Sequence, residues 1–174
     1  MDAMKVGGEY LFIKDRKDYS SEQLDTGDKS FQCGRHIDIL KLWLYFKGNG
    51  LEKIQAGLEN CEHLARYFAD KVRRSEEFEL AYEPQTCICN FYFVPKALRG
   101  MDIKSDEFKE KIKDVAPKIK VALSERGKIM LTYSPTVHAA NHFKMICINP
   151  SNTEADMDFV FDEMKACALA SGYE

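Results

Sequence analysis

The segment FELAYEPQTCICNFYFV, from Phe78 to Val94, has the pattern of two β-strands joined by a short connection, and the fold prediction starts from it. Apolar and charged side chains alternate at its start, and this period of two indicates a half-buried strand. Residues 87–94 are apolar on both faces except for Asn90, which is typical of a central strand, and Pro95 ends the run because it has no N–H to donate. A short connection favours antiparallel pairing, so we predict an antiparallel sheet.

Helical patterns flank these strands. Apolar residues from 51 to 74 recur at steps of three and four, which predicts a helix with one apolar stripe. Another helix is predicted over 105–126, where Pro117 must kink or split it because proline cannot donate a backbone hydrogen bond. A last helix begins at Thr153, which with Asp156 has the spacing of a capping box.

Two further strands are predicted at 128–133 and 143–149. The element order is then helix, helix, strand, strand, helix, strand, strand, helix. This order predicts an α+β fold, with a small, mostly antiparallel sheet and helices on one face.

The first predicted helix, at 35–47, is apolar on nearly all sides. A helix of this kind is normally buried, and a small chain cannot cover it completely. We therefore expect a neighbouring domain or a partner chain to pack against it.

Length and composition set outer limits on the chain. A chain of 174 residues fits one compact domain or one domain with a tail. Residues 1–34 are polar and rich in turn formers, so we expect an irregular arm there, followed by a folded domain at 35–174. With 25 basic and 28 acidic residues, the charge gives no reason to expect nucleic acid or a membrane surface as a partner.

The apolar runs are far shorter than the roughly 20 residues of a membrane span, and no signal peptide is evident. We therefore expect a cytoplasmic location and six reduced cysteines. The only close pair, Cys87 and Cys89, lacks the second ligand pair of a zinc site, so we expect no metal. Of the four histidines, His138 and His142 flank the start of a strand, where an imidazole could lie near a ligand.

Several segments carry a resemblance to a known family: DTGDKSFQCGRHID at 25–38, LKLWL at 40–44, NFYFVP at 90–95 and VAPKIK at 115–120. They resemble the group of pyridoxal-phosphate-dependent decarboxylases that includes glutamate decarboxylase and cysteine sulfinate decarboxylase. The likeness runs from about Gly8 onward and matches only the C-terminal part of such enzymes. It implies the small C-terminal domain of fold-type I pyridoxal-phosphate enzymes, with its leading interdomain helices.

The resemblance also implies what lies elsewhere. In that family a large domain holds pyridoxal phosphate, through a lysine in an Asn-Pro-His-Lys context that this sequence does not contain. The cofactor performs the difficult chemistry. We therefore expect the chain alone to hold no cofactor and to be inactive until a large domain or a homodimer partner completes it.

Three positions match functional positions of the family. Tyr10 matches the tyrosine of a mobile loop that, in relatives, returns a proton after carbon dioxide leaves; alternatively, it is an apolar anchor. Lys144 falls where relatives have an arginine that clamps the substrate carboxylate; alternatively, it is a strand-edge lysine in solvent. Gly34 matches a glycine that approaches the cofactor across a dimer interface; alternatively, it only starts the helix.

Two functions follow as hypotheses. The first is the C-terminal portion of an amino-acid decarboxylase that acts on a small acidic amino acid, namely glutamate, aspartate or cysteine sulfinate. The second is an interaction or dimerisation module that derives from such an enzyme and has lost catalysis.

Overall fold

The computed structural model describes residues 37–134, 136 and 139–173. The chain divides into two units, one that ends at Gly50 and one that spans Leu51–Glu174. The first helix, α1, is assigned to Asp38–Arg74, but Gly50 interrupts it with a φ of 72° and a ψ of 164°. Glycine adopts this backbone without steric cost, so the two units meet at a residue suited to a break.

In the first unit, the large apolar side chains of residues 37–46 are between 44% and 86% exposed. The predicted helix is therefore present, but the residues that the structure describes do not bury it. The neighbouring domain or partner that we expect there stays a prediction.

The second unit contains a sheet of four antiparallel strands in the order β1-β2-β4-β3. The strands are β1 Phe78–Tyr82, β2 Ile88–Phe93, β3 Thr132–Ser134 and β4 His142–Ile146. The predicted α+β fold and its central β2 are confirmed. β3 and β4 are shorter than predicted, because β3 begins only at Thr132 and β4 already ends at Ile146.

Three further helices complete the second unit: α2 Asp106–Ile112, α3 Val115–Arg126 and α4 Glu154–Ala170. Pro117 lies in the first turn of α3, where its missing N–H has no helical partner to lose, so the predicted long helix is split before the proline. Gly127 ends α3 with a φ of 66°, and the predicted capping box at Thr153 starts α4. None of the described helices is long and apolar enough to cross a membrane.

Aromatic side chains form the core between the sheet and the helices. Phe91 of β2 contacts Phe68 of α1 at a ring-centroid distance of 5.2 Å, and Phe78 of β1 contacts Phe161 of α4 at 4.6 Å. α3 contacts α4 and strands β2 and β3. The predicted stripe of α1 is only partly inside this core, because Leu51 and Leu58 are 72% and 66% exposed.

A buried carboxylate joins α3 to α4. Glu163 accepts hydrogen bonds from the Nε of Arg126 and, at 3.2 Å, from the Nζ of Lys128. The bond from Arg126 outweighs burial and holds the pKa of Glu163 below its usual value. The charge is thus compensated where the chain leaves α3.

The loop after β4 packs closely against α1. Asn60 donates to the backbone oxygens of Pro150 and Asn152 at 3.1 and 3.0 Å. A Cβ atom at Gly57 would lie only 2.9 Å from the Cβ of Pro150. Glycine at position 57 is therefore required by close approach.

We predict that Gly57→Ala destabilises the second unit. Alanine normally gains about 1 kcal/mol over glycine within a helix, but here its methyl group overlaps Pro150, and overpacking costs about 1–3 kcal/mol. Urea unfolding should show a lower midpoint. In a Pro150→Gly background, which lacks the opposing Cβ, the same change should be neutral or stabilising. A higher midpoint for Gly57→Ala in the parent chain would contradict this account.

Candidate functional site

A row of polar side chains crosses one face of the sheet, the face that points away from Phe91. Lys144 on β4 lies between Asn90 of β2 and Thr132 of β3, and Asn90 in turn faces Tyr82 of β1. Successive side chains of a strand point to opposite faces, so Lys144 and Asn90 point away from the aromatic core. We call these four residues the Lys144 row.

Lys144 is half-buried, and its ammonium group makes no hydrogen bond or ion pair with any residue that the structure describes. Its row neighbours Asn90, Thr132 and Tyr82 are uncharged. A partly desolvated cation without a counter-ion attracts a carboxylate or sulfinate group. The row can therefore bind an anion, and it offers amide and hydroxyl groups beside the charge.

A buried aromatic layer supports this row at one end. His142, two residues before Lys144, is 1% exposed, and its ring meets the rings of Tyr82 and Tyr92 edge-on at 5.7 and 5.9 Å. Tyr92 also contacts Phe108 of α2 at 5.5 Å. The helix α2 thus covers the part of this face that Tyr92 occupies, while the Lys144 row stays accessible.

Burial controls the charges in this layer. Burial lowers the pKa of His142; the nearby Lys144 also lowers it, and a hydrogen bond to the Ala140 carbonyl acts in the opposite direction. Because that carbonyl accepts from Nδ1 at 2.9 Å, the neutral ring carries its proton on Nδ1. Burial raises the pKa of Tyr92 to about 12. The layer is therefore uncharged near pH 7, and Lys144 supplies the positive charge of the row.

The Lys144 row does not fit pyridoxal phosphate by itself. The row contains no carboxylate that could face a pyridine nitrogen, and one lysine cannot hold both an aldehyde carbon and a phosphate group. We therefore derive no step through the cofactor from these residues. In the described ranges, no group of three or more histidine, cysteine or acidic side chains is placed to hold a metal ion.

The predicted site residues have different outcomes. Tyr10, Gly34 and His138 lie outside the described residues, so their predicted roles stay predictions. Lys144 lies in the middle of the sheet, flanked by β2 and β3, rather than at a strand edge. His142 is buried under tyrosine rings and does not present its ring to a ligand.

Sequence reasoning did not identify Tyr82, Asn90 and Thr132 as neighbours of Lys144. Asn90 carried one signal, since it is the only polar side chain in an otherwise apolar strand. The positions of Tyr82 and Thr132 depend on strand register, including the irregularity between Leu80 and Tyr82. Periodicity within one strand does not contain this information.

We predict that His142 titrates below its ordinary pKa of 6.5, and that Lys144→Met raises its pKa because a nearby positive charge is removed. Imidazole NMR signals recorded against pH measure this, with His142→Gln for assignment. Since the folded-state pKa is lowered, the unfolding free energy should fall as the pH drops below about 6.5. Lys104→Met, at an exposed loop position, is the control and should leave the His142 pKa unchanged. A His142 pKa that does not respond to Lys144→Met would contradict the coupling.

Comparison with known proteins places these features in a family. Residues 1–94 match the pyridoxal-dependent decarboxylase conserved domain. The chain is 37% identical over 156 residues to mouse cysteine sulfinic acid decarboxylase, and 38% identical over 156 residues to the human protein of that name. Each match covers 90% of this chain and 31% of the relative. The chain thus spans about a third of the length of the curated relatives it matches.

Solved structures agree with this result. The crystal structure of mouse CSAD in apo form superposes with a TM-score of 0.69 at 35% identity, covering 88% of this chain and 32% of that one. A tryptophan decarboxylase from Catharanthus roseus, at 19% identity and a TM-score of 0.58, shares the fold. The resemblance seen in the sequence and the fold predicted from it are confirmed: the chain belongs to the pyridoxal-dependent decarboxylase family.

Proposed function

We propose that this chain is the C-terminal portion of a cytoplasmic, pyridoxal-phosphate-dependent decarboxylase that acts on a small acidic amino acid. Cysteine sulfinate, glutamate and aspartate are the candidate substrates, and the similarity to cysteine sulfinic acid decarboxylases favours the first. The observation that carries the proposal is the half-buried Lys144, which has no counter-ion among the described residues. Its charge suits an acidic group of the substrate.

The proposal assigns different tasks to this chain and to the rest of the enzyme. Pyridoxal phosphate, when bound by a large domain, supplies an electron sink for decarboxylation. In this chain, Lys144 binds an acidic group of the substrate, and Asn90 and Tyr82 orient that group from beside it. The aromatic layer of His142 and Tyr92 keeps water away from one end of the row.

A lysine makes a less directional contact with an acidic group than an arginine does. An arginine holds a carboxylate with two parallel hydrogen bonds, whereas a lysine ammonium is a point charge. We therefore expect Lys144 to bind an acidic group with less orientation than a guanidinium would. Substrate affinity, rather than catalysis itself, should respond to this position.

The prediction is tested in a chimera of this chain with the N-terminal two-thirds of mouse cysteine sulfinic acid decarboxylase. Lys144→Arg should lower KM for the acidic substrate by about 5–30-fold, because one extra charge-assisted hydrogen bond contributes about 1–2 kcal/mol. Lys144→Ala should raise KM because the charge is lost. Carbon dioxide release from cysteine sulfinate, glutamate and aspartate provides the measurement.

Lys104→Ala is the matched control, since it removes a lysine from an exposed loop, and its KM should equal that of the parent. Equal KM values for the parent, Lys144→Arg and Lys144→Ala would show that position 144 does not contact substrate. A chimera that binds pyridoxal phosphate and releases no carbon dioxide from any of the three acids would refute the proposed activity.

An interaction module is the second candidate function, and the exposed apolar helix of the first unit supports it. Ile39, Leu42 and Trp43 are 86%, 58% and 55% exposed. A continuous run of exposed, large apolar side chains is rare on a monomer and is typical of a protein interface. Such a module would need no cofactor.

We predict that the full chain self-associates through this helix. Light scattering should give a mass above 20.0 kDa, and Trp43→Glu should shift the mass towards that of the monomer because it places a charge in the contact. Leu169→Glu is the control, since Leu169 is also exposed, at 65%, but lies on α4. A monodisperse monomer at high protein concentration would contradict the prediction.

A further inference from the structure

Sulfur atoms are concentrated where β2 begins and β4 ends. Cys87 and Cys89 come from β2 and the residue before it, Cys147 follows β4, and Cys61 comes from α1. The Sγ of Cys147 lies 3.8 Å from the Sδ of Met157 on α4. The proposed decarboxylase function uses none of these side chains.

Two of these cysteines lie opposite each other on the adjacent strands β2 and β4. β2 and β4 pair Ile88 with Ile146, so the next pair outward is Cys87 with Cys147. The N–H of Cys147 donates to the carbonyl of Cys87 at 2.8 Å, which shows that the pairing continues to these residues. Opposed residues of this kind are about 5.5 Å apart at Cα, within the range of about 4.4–6.8 Å that a disulfide requires.

The two thiols also share a face. Cys87 and Cys89 both alternate with Ile88, so they point to the side of the sheet that carries Phe91. Directly opposed residues of an antiparallel pair point to the same side, which places the Cys147 thiol beside that of Cys87. A disulfide requires their Cβ atoms to come within about 3.5–4.5 Å, and opposed residues of an antiparallel pair have Cβ atoms about 4.5–5.5 Å apart, so the two strands must draw together locally when the bond forms.

The accessibility of the thiols sets the order of reaction. Among the described cysteines, Cys87 is half-buried and Cys61, Cys89, Cys147 and Cys167 are buried. Burial raises the pKa of Cys147 to about 11, with smaller contributions from the Cys87 and Cys61 thiols. Cys87 is therefore the thiol that meets an oxidant, whereas burial keeps Cys147 protonated and shielded from one. Its position opposite Cys87, and not its pKa, makes Cys147 the thiol that can resolve the product.

We propose that Cys87 and Cys147 form a reversible cross-strand disulfide, with a hydroperoxide as oxidant. The Cys87 sulfur attacks the terminal oxygen of the hydroperoxide, the O–O bond breaks, and an alcohol or water leaves as Cys87 becomes a sulfenic acid. The Cys147 sulfur then attacks the Cys87 sulfur, the S–O bond breaks, and water leaves with the proton of Cys147. One hydroperoxide is reduced for each pair of thiols oxidised, and a dithiol reductant restores both by exchange.

This thiol pair lies close to the Lys144 row along the chain but on the opposite side of the sheet. Cys147 follows Lys144 by three residues, and the intervening strand pairs with β2 throughout. Oxidation would join the beginning of β2 covalently to the end of β4. The proposal does not depend on decarboxylase activity, because it concerns the thiols of this chain alone.

The experiment treats the purified full chain with a slight excess of hydrogen peroxide, blocks the remaining thiols after unfolding, and maps the peptides by mass spectrometry. We expect the Cys87–Cys147 peptide pair as the main cross-link, and its disappearance after treatment with dithiothreitol. Cys87→Ser and Cys147→Ser should each abolish the cross-link. Cys167→Ser, which removes a buried cysteine from another part of the core, should leave its yield unchanged.

Other outcomes would overturn the proposal. A main cross-link between Cys61 and Cys87 would show that the helix, rather than the facing strand, supplies the second thiol. Conversion of Cys87 to a sulfinic acid without a cross-link would show that Cys147 does not resolve the oxidised thiol. If peroxide leaves every cysteine free to react with the blocking reagent, the pair is not redox-active. The mapping of the parent chain decides among these even if a serine variant folds poorly.

Discussion

The packing of Phe91 is the interaction on which the second unit depends. Its ring contacts Phe68 of α1, Phe78 of β1 and Phe143 of β4, with centroid distances of 5.2, 5.8 and 5.8 Å. One side chain of the central strand thus joins a helix to two neighbouring strands. Because strand side chains alternate, the burial of Phe91 directs its neighbour Asn90 to the opposite face. Lys144 is paired with Asn90 and therefore points to the same face. The packing of the core thus determines which face of the sheet carries Lys144.

Charged side chains of the second unit differ between the two faces of the sheet in whether they have partners. On the helix side, Glu163 is held between Arg126 and Lys128, and Asp158 accepts hydrogen bonds from Lys71 and Tyr67. Glu163 is buried and thus satisfies the requirement that a buried charge has partners, and the half-buried Asp158 is paired as well. Lys144 differs, because its half-buried charge has no such partner in the described part of the chain. This contrast is the physical reason to assign binding, rather than stability, to Lys144.

Strand register also links the two proposals. The pairing that puts Asn90 opposite Lys144 puts Cys87 opposite Cys147 three positions further along, on the other face. An anion-binding row and a thiol pair therefore depend on the same antiparallel ladder. A slip of one residue would exchange the two faces and destroy both arrangements, so the close fit of Phe91 protects the site as well as the core.

Much of this protein could be predicted from its sequence alone. Period-two alternation and apolar steps of three and four predicted β1, β2 and the second part of α1, and the capping box at Thr153 identified the start of α4, because these signals are local. The family resemblance was carried by contiguous motifs such as DTGDK at 25–29, and it selected Lys144 as a site residue. Local patterns could not show that Lys144 is paired with Asn90, or that His142 is buried against Tyr82 and Tyr92. They also could not show that Cys87 lies opposite Cys147. Those facts depend on register between strands distant in the sequence, and only the packing of the folded chain decides that register.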